Sequence, residues 1–275
     1  MSVHKPVADR FKGRTAVVSG GVNGIGRATL DELLKEGANV AFSDLSPDGE
    51  ALAADMKASG HEVLFLEGDM EDEGFCAEFV DAAAGRFGRI DYLVNNAFAF
   101  TAKALDAEAA DWRRSYTVGP VGFARMIQNV RPHMVRSGGG AVVNVGSISG
   151  HIAQKCRWTY NMAKGAVDQL TKCAALDLAA DGIRVNSISP GWIWTNEVHK
   201  AADMDGGGRA KWDPIWGKYH MLRRCGEPVE CARAILFLLS DDASFITGAD
   251  LPVDGGYLSM GPEGLGETAV VAGSD

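Results

Sequence analysis

Short apolar runs alternate with amphipathic stretches along nearly the whole chain, and this alternation restricts the fold more than any other feature. Residues 15–19 (TAVVS) read as a buried strand closed by glycines. Residues 27–36 read as an amphipathic helix with Gly37 as its C-cap. The pattern then repeats. Strands are predicted at 39–43 (ending at Asp44), 62–66, 91–95, 141–145, 184–189 and 250–253. Helices are predicted at 50–59, 75–87, 111–136, 158–180 and 230–239. Gly119-Pro120 lies inside the fourth of these six helices and must bend or break it. The order predicts an α/β fold: one doubly wound domain, 1–275, with a mainly parallel seven-stranded sheet flanked by helices. Ligand-binding loops are then expected at the strand C-terminal ends. The core spans about 13–256. Residues 195–224 leave the alternation and form a candidate substrate lid, and 257–275 form a tail.

Composition narrows the function classes. A chain of 275 residues with 46% hydrophobic content can bury a substantial core. A net charge of −9 argues against a nucleic-acid or anionic-membrane partner. Apolar runs such as 234–239 are too short to span a bilayer, and residues 1–14 lack the apolar core of a secretory signal. Five cysteines without a C-x-x-C pair fit buried thiols in a reducing, cytoplasmic setting. Six histidines show no metal-ligand spacing, so no metal is expected.

Three features carry chemistry. Tyr160 and Lys164 are four residues apart, on one face of the predicted helix, and Ser147 follows the strand before it. A hydroxyl, a phenol and an ammonium brought together suit proton transfer at an alcohol or carbonyl oxygen. Gly20, Asn23, Gly24, Ile25 and Gly26 join the first strand to the first helix, where glycines let the backbone approach a pyrophosphate. Asp44 ends the second strand, where a carboxylate accepts from an adenosine ribose and repels a 2′-phosphate. With neutral Asn23 in the loop, this points to NAD rather than NADP.

Together with Asn95-Asn96-Ala97 after the fourth strand and Pro190-Gly191 after the sixth, these motifs resemble, in order, the short-chain dehydrogenase/reductase family over roughly residues 13–256. The resemblance implies a single Rossmann-type domain, a nicotinamide cofactor and a homotetramer. It makes Tyr160 the general acid/base. Lys164 would bind the nicotinamide ribose and lower the phenol pKa, and Ser147 would hold the substrate oxygen. Asp69 would meet the adenine, with Met70 beside it. Asn95, Asn96, Ala97 and Pro190 would line the cofactor, and Ile193 and Thr195 would meet its carboxamide and phosphate. A free tyrosine titrates at about 10, so acting as a base near neutrality needs roughly 3–4 kcal/mol of help.

Two positions depart from the family pattern. Phe98 stands where most members have glycine, and Gly119 where most carry an asparagine that holds a water in the proton relay. The resemblance places the substrate near Phe98, His151, Arg157, Trp158, Trp192 and Trp194. Indoles and hydrogen-bonding groups there suit a sugar, sugar acid or polyol, and Arg157 suits a carboxylate or sulfonate. A hydrophobic cyclic alcohol is the alternative substrate. A non-catalytic NAD sensor is the alternative function.

Overall fold

The computed structural model describes residues 6–262, 264 and 265, so most of the tail reading at 257–275 lies outside the described residues. Seven strands form one sheet: β1 (Thr15–Ser19), β2 (Asn39–Asp44), β3 (Val63–Glu67), β4 (Tyr92–Asn95), β5 (Gly140–Val145), β6 (Ile183–Pro190) and β7 (Asp250–Val253). Their order is β3-β2-β1-β4-β5-β6-β7, with every pair parallel. The chain reverses its winding between β1 and β4, which opens a crevice at their C-terminal ends.

Helices cover both faces, which is why the strands read as continuous apolar runs. On one face lie α1 (Gly24–Lys35), α2 (Asp48–Ala58) and α9 (Pro228–Leu239), packing Leu30, Leu33, Met56, Ile235 and Leu239 against Val18, Phe42 and Val143. On the other lie α3 (Glu73–Phe87), α5 (Gly122–Arg136) and α6 (Trp158–Leu178), with Phe79, Met126, Met134 and Leu178 against Val17, Leu93 and Val142. The predicted elements are present, but five of the six predicted helices begin two or three residues earlier than apolar periodicity indicates, while α6 begins at Trp158 as expected. Their first turns are polar: Asp72 caps α3 by accepting from the backbone N–H of Gly74 and Phe75.

The predicted helix at 111–136 is two helices. α4 (Ala109–Tyr116) ends in a widened turn, Thr117–Val121, before α5 begins. Gly119 leaves helical geometry there (φ −76°, ψ −115°), because Pro120 disfavours the α conformation in the residue before it. Residues 195–224 hold two further helices, α7 (Asn196–Met204) and α8 (Gly208–Trp216). The expectation of five core thiols is corrected, since Cys156 and Cys173 are exposed.

A buried polar chain ties the sheet to α6. Asn95 Nδ2 donates to Asn144 Oδ1 (2.9 Å), and Asn144 Nδ2 donates to Thr171 Oγ1 (2.9 Å), which donates to the Val167 carbonyl. All three side chains are essentially inaccessible to solvent. Asn144→Ala removes one of the two acceptors of the Asn95 amide, the other being the Phe123 carbonyl (3.3 Å), so it is expected to destabilise the protein by about 2–3 kcal/mol. Urea unfolding of the two proteins measures this, and a change under about 0.5 kcal/mol would remove the network from the fold's energetics.

Candidate active site

The crevice at the β1/β4 switch point is a cleft of about 540 Å³. Its floor is the loop between β1 and α1. A Cβ on Gly26 would lie 1.9 Å from the Gly20 carbonyl oxygen, and Gly20 itself has φ +72°, so both positions require glycine. Asn96 Nδ2 donates to the carbonyls of Ser19 and Gly20 and holds this loop in shape. The first turn of α1 carries no side-chain cap and no acidic residue, so its N–H groups are free for an anion. Asp44 accepts from the N–H of Val22 (2.9 Å) and Ser46 (3.1 Å) and lines the cleft. Asn23, Gly24, Ile25, Asp69, Met70, Ala97, Pro190, Ile193 and Thr195 line it as well. The cradle therefore fits a dinucleotide. Asn95 does not reach the cleft: it is buried and committed to Asn144, which corrects its expected contact with the cofactor.

Ser147, Tyr160 and Lys164 all line the far end of the cleft. Ser147 follows β5, and its hydroxyl accepts from the Ser149 N–H (3.1 Å). Tyr160 lies in the first turn of α6, with Lys164 one turn further on. Lys164 is buried and donates to the Val145 carbonyl (2.7 Å), pinning α6 to the end of β5. Burial pushes its ammonium down to about 7, against an opposing pull from Asp168. Burial also raises the Tyr160 phenol, while a hydrogen bond with Ser147 and the charge of Arg157 work in the other direction.

Both departures from the family pattern meet on Lys164. Its Nζ lies 3.9 Å from the centroid of the Phe98 ring, a cation–π contact worth about 0.5–2 kcal/mol in such a dry setting. The same ring stands edge-on to Tyr160, with centroids 5.3 Å apart. A Cβ on Gly119 would sit 2.6 Å from Phe98 Cε2, closer than carbon atoms tolerate. Glycine at 119 is thus what admits the phenylalanine at 98.

The end of the cleft beside Tyr160 is aromatic. Phe100 packs on Tyr160 (centroids 4.9 Å), and Phe98, Phe100, Arg157 and Trp192 line the wall beside it. Trp194 does not. It is buried against α8, where its Nε1 donates to Asp213 Oδ1 (2.9 Å). Trp216 stacks between Trp192 and Trp212 (4.9 and 5.0 Å), completing a small core beneath α7 and α8. Trp158 is about half exposed and outside the cleft lining. His151 turns away too, its Nε2 lying 3.0 Å from Ser189 Oγ, 3.1 Å from Asp250 and 3.5 Å from Asp168. Burial pushes Asp168 up to about 6. Trp194 and His151 were drawn into neighbouring packing and hydrogen bonding, whereas Trp158 faces solvent.

Sequence reasoning does not single out Phe100 or Asn196. Phe100 belongs to the Phe98-Ala99-Phe100 alternation, whose period-two spacing is the one available signal. Asn196 Nδ2 donates to Asn23 Oδ1 (2.9 Å) and docks the start of the lid on the glycine loop, a contact across 173 residues.

Comparison with known proteins agrees with this geometry. A family model described as enoyl-(acyl carrier protein) reductase matches residues 20–258. The chain is 38% identical over 256 residues to cis-4-hydroxycyclohexanecarboxylate dehydrogenase of Sinomonas cyclohexanicum, covering 92% of this chain and 100% of the relative. It is 35% identical over 250 residues to cyclopentanol dehydrogenase of Comamonas sp. (strain NCIMB 9872), covering 90% and 98%. The crystal structure of levodione reductase superposes with a TM-score of 0.84 at 34% identity, covering 90% of this chain and 99% of that one. With a parallel seven-stranded sheet, a glycine-lined cradle and a Ser-Tyr-Lys cluster at its end, the chain belongs to the short-chain dehydrogenase/reductase family and is an oxidoreductase acting on the CH–OH group of secondary alcohols.

Proposed function

We propose that the protein is an NAD-dependent dehydrogenase of cyclic secondary alcohols. The observation that carries this reading is the apolar wall of Phe98, Phe100 and Trp192 beside Tyr160. Such a wall accepts the C–H faces of a carbon ring and offers few partners for several hydroxyls. A sugar is therefore not the substrate proposed: Trp194, expected to stack on one, belongs to the lid core, and the relatives are named for alicyclic compounds. Those names divide between rings that carry a carboxylate and rings that do not. The sensor reading yields as well, since the named relatives are dehydrogenases.

When bound, a nicotinamide cofactor supplies the hydride acceptor and, oxidised, a positive charge near the phenol. Asp44 supports NAD, because its carboxylate has accepting positions beyond the two N–H groups it holds and no described cation pairs with it. Ser147 holds the substrate hydroxyl, and Tyr160 accepts its proton in oxidation and returns it in reduction. Lys164, fixed on Val145, favours the phenolate electrostatically. The homotetramer that the family resemblance implies has exposed apolar side chains to use, Val135 on α5 and Leu176 on α6.

Four outcomes test this reading. Cyclohexanol and cyclopentanol should be oxidised with NAD⁺ at least about tenfold more efficiently than aldoses or with NADP⁺, by NADH absorbance. Preferential turnover of aldoses would sink the cyclic-alcohol assignment. Tyr160→Phe should lower kcat by about 10²–10⁴-fold while NADH still binds. In the wild type, oxidation should rise with pH as the phenol deprotonates, and ketone reduction should fall; the opposite slopes would remove Tyr160 as the acid/base. Gly119→Ala should displace Phe98 and lower kcat by about tenfold or more, with part of the loss recovered in Gly119→Ala/Phe98→Ala. A double variant no better than the single one would show that the two residues are not coupled.

A further inference from the structure

Arg157 is the N-cap residue of α6, three positions before Tyr160, and it lines the cleft. Its guanidinium carbon lies 5.6 Å from the ring centroid of Phe100 and 6.0 Å from that of Trp192. Among the described residues, the guanidinium has no hydrogen-bond or ion-pair partner. The other cations of the cleft are engaged. Arg114 pairs with Asp69 (2.6 Å), Lys164 donates to Val145, and Lys200 pairs with Glu197 (2.7 Å).

Helix stability does not account for an arginine here. A helix N-terminus carries the positive end of the dipole, where a cation is disfavoured, and the first turn of α6 holds no acidic side chain to offset it. The residue before it, Cys156, has φ +60°, the left-handed region that non-glycine residues avoid. The chain as a whole carries a net charge of −9, so an anionic substrate approaches against the protein's field unless a cation at the wall offsets it.

We propose that Arg157 receives a carboxylate borne by the substrate ring, so that the preferred substrate is an alicyclic hydroxy acid. The inference rests on the cyclic-alcohol reading and extends it to the opposite end of the ring. Ser147 and Tyr160 take the hydroxyl, Phe98, Phe100 and Trp192 cover the ring, and the planar guanidinium takes the carboxylate through two parallel N–H bonds. Cation–π contacts with Phe100 and Trp192 keep the guanidinium at the wall. The dinucleotide's phosphates do not compete for it, because their cradle is at the N-terminus of α1 between β1 and β4, whereas Arg157 stands on α6 beyond β5.

The test compares 4-hydroxycyclohexanecarboxylate with cyclohexanol, using NAD⁺ and the wild type, Arg157→Leu and Arg157→Lys. The wild type should favour the acid in kcat/KM by at least about tenfold, the scale of a charge-assisted hydrogen-bonded pair. Arg157→Leu should reduce the acid-to-neutral ratio by about 10- to 100-fold, chiefly through KM for the acid, and Arg157→Lys should recover part of it. A wild type without preference for the acid, or a ratio that Arg157→Leu leaves unmoved, overturns the proposal. Equal loss on both substrates does so too, as it marks a merely structural arginine. Calorimetric titration of cyclohexanecarboxylate into the NADH complex separates the two readings. Saturable binding that Arg157→Leu abolishes upholds the anion site even where neither alcohol is oxidised, and the cyclic-alcohol reading then fails alone. No binding to the wild type, together with no preference for the acid, refutes the anion site.

Discussion

The site is organised around one buried charge. Lys164 sits almost out of solvent, and a single backbone carbonyl, Val145, holds its ammonium. An ammonium in that setting is unstable unless its surroundings meet it, and burial pushes it down to about 7. Three parts of the molecule answer this cost. The end of β5 supplies the carbonyl, Phe98 supplies an aromatic face at 3.9 Å, and the kink at Gly119 clears the space that face occupies. Tyr160, one turn away on the same helix, is positioned by the same packing.

From this anchor the cleft divides into two ends built on different physics. The cofactor end is backbone: glycines without Cβ atoms, free helix N–H groups and one carboxylate at the end of β2. The end beside Tyr160 is side chain: two phenylalanines, an indole and a guanidinium that has no ion-pair partner among the described residues. A backbone cradle of this kind tolerates little variation, whereas the proposed cyclic substrate would be read by residues that can change without disturbing the sheet. Residues 195–224 join the two ends, since Asn196 bonds to Asn23 at one side and Trp216 stacks on Trp192 at the other.

The elements were legible because parallel strands covered on both faces are apolar throughout and are separated by amphipathic helices. Ser147, Tyr160 and Lys164 were legible because a four-residue helical spacing and a preceding strand end fix their relative positions almost locally. Trp194, Trp158 and His151 were misassigned for the opposite reason. Closeness in sequence to the pocket does not say which way a side chain turns. An indole seeking a dry partner found the lid core, and an imidazole found Asp250 and Ser189. Asn95 shows the same rule, since a polar side chain at a strand end can be a cofactor contact or a buried link, and Asn144 decided which.

The sequence by itself determined the α/β class, the order of the elements, the glycine cradle and the grouping of Ser147, Tyr160 and Lys164. Each of these follows from short-range periodicity or from a conformational demand at a single residue. Only the tertiary structure decided that Phe98 and Gly119 are one device and not two departures, that the tryptophans divide between the cleft wall and the small core under α7 and α8, and that Arg157 has no partner in the cleft among the described residues. These are contacts between segments distant in the chain, and their geometry exists only once the sheet and its helices have packed.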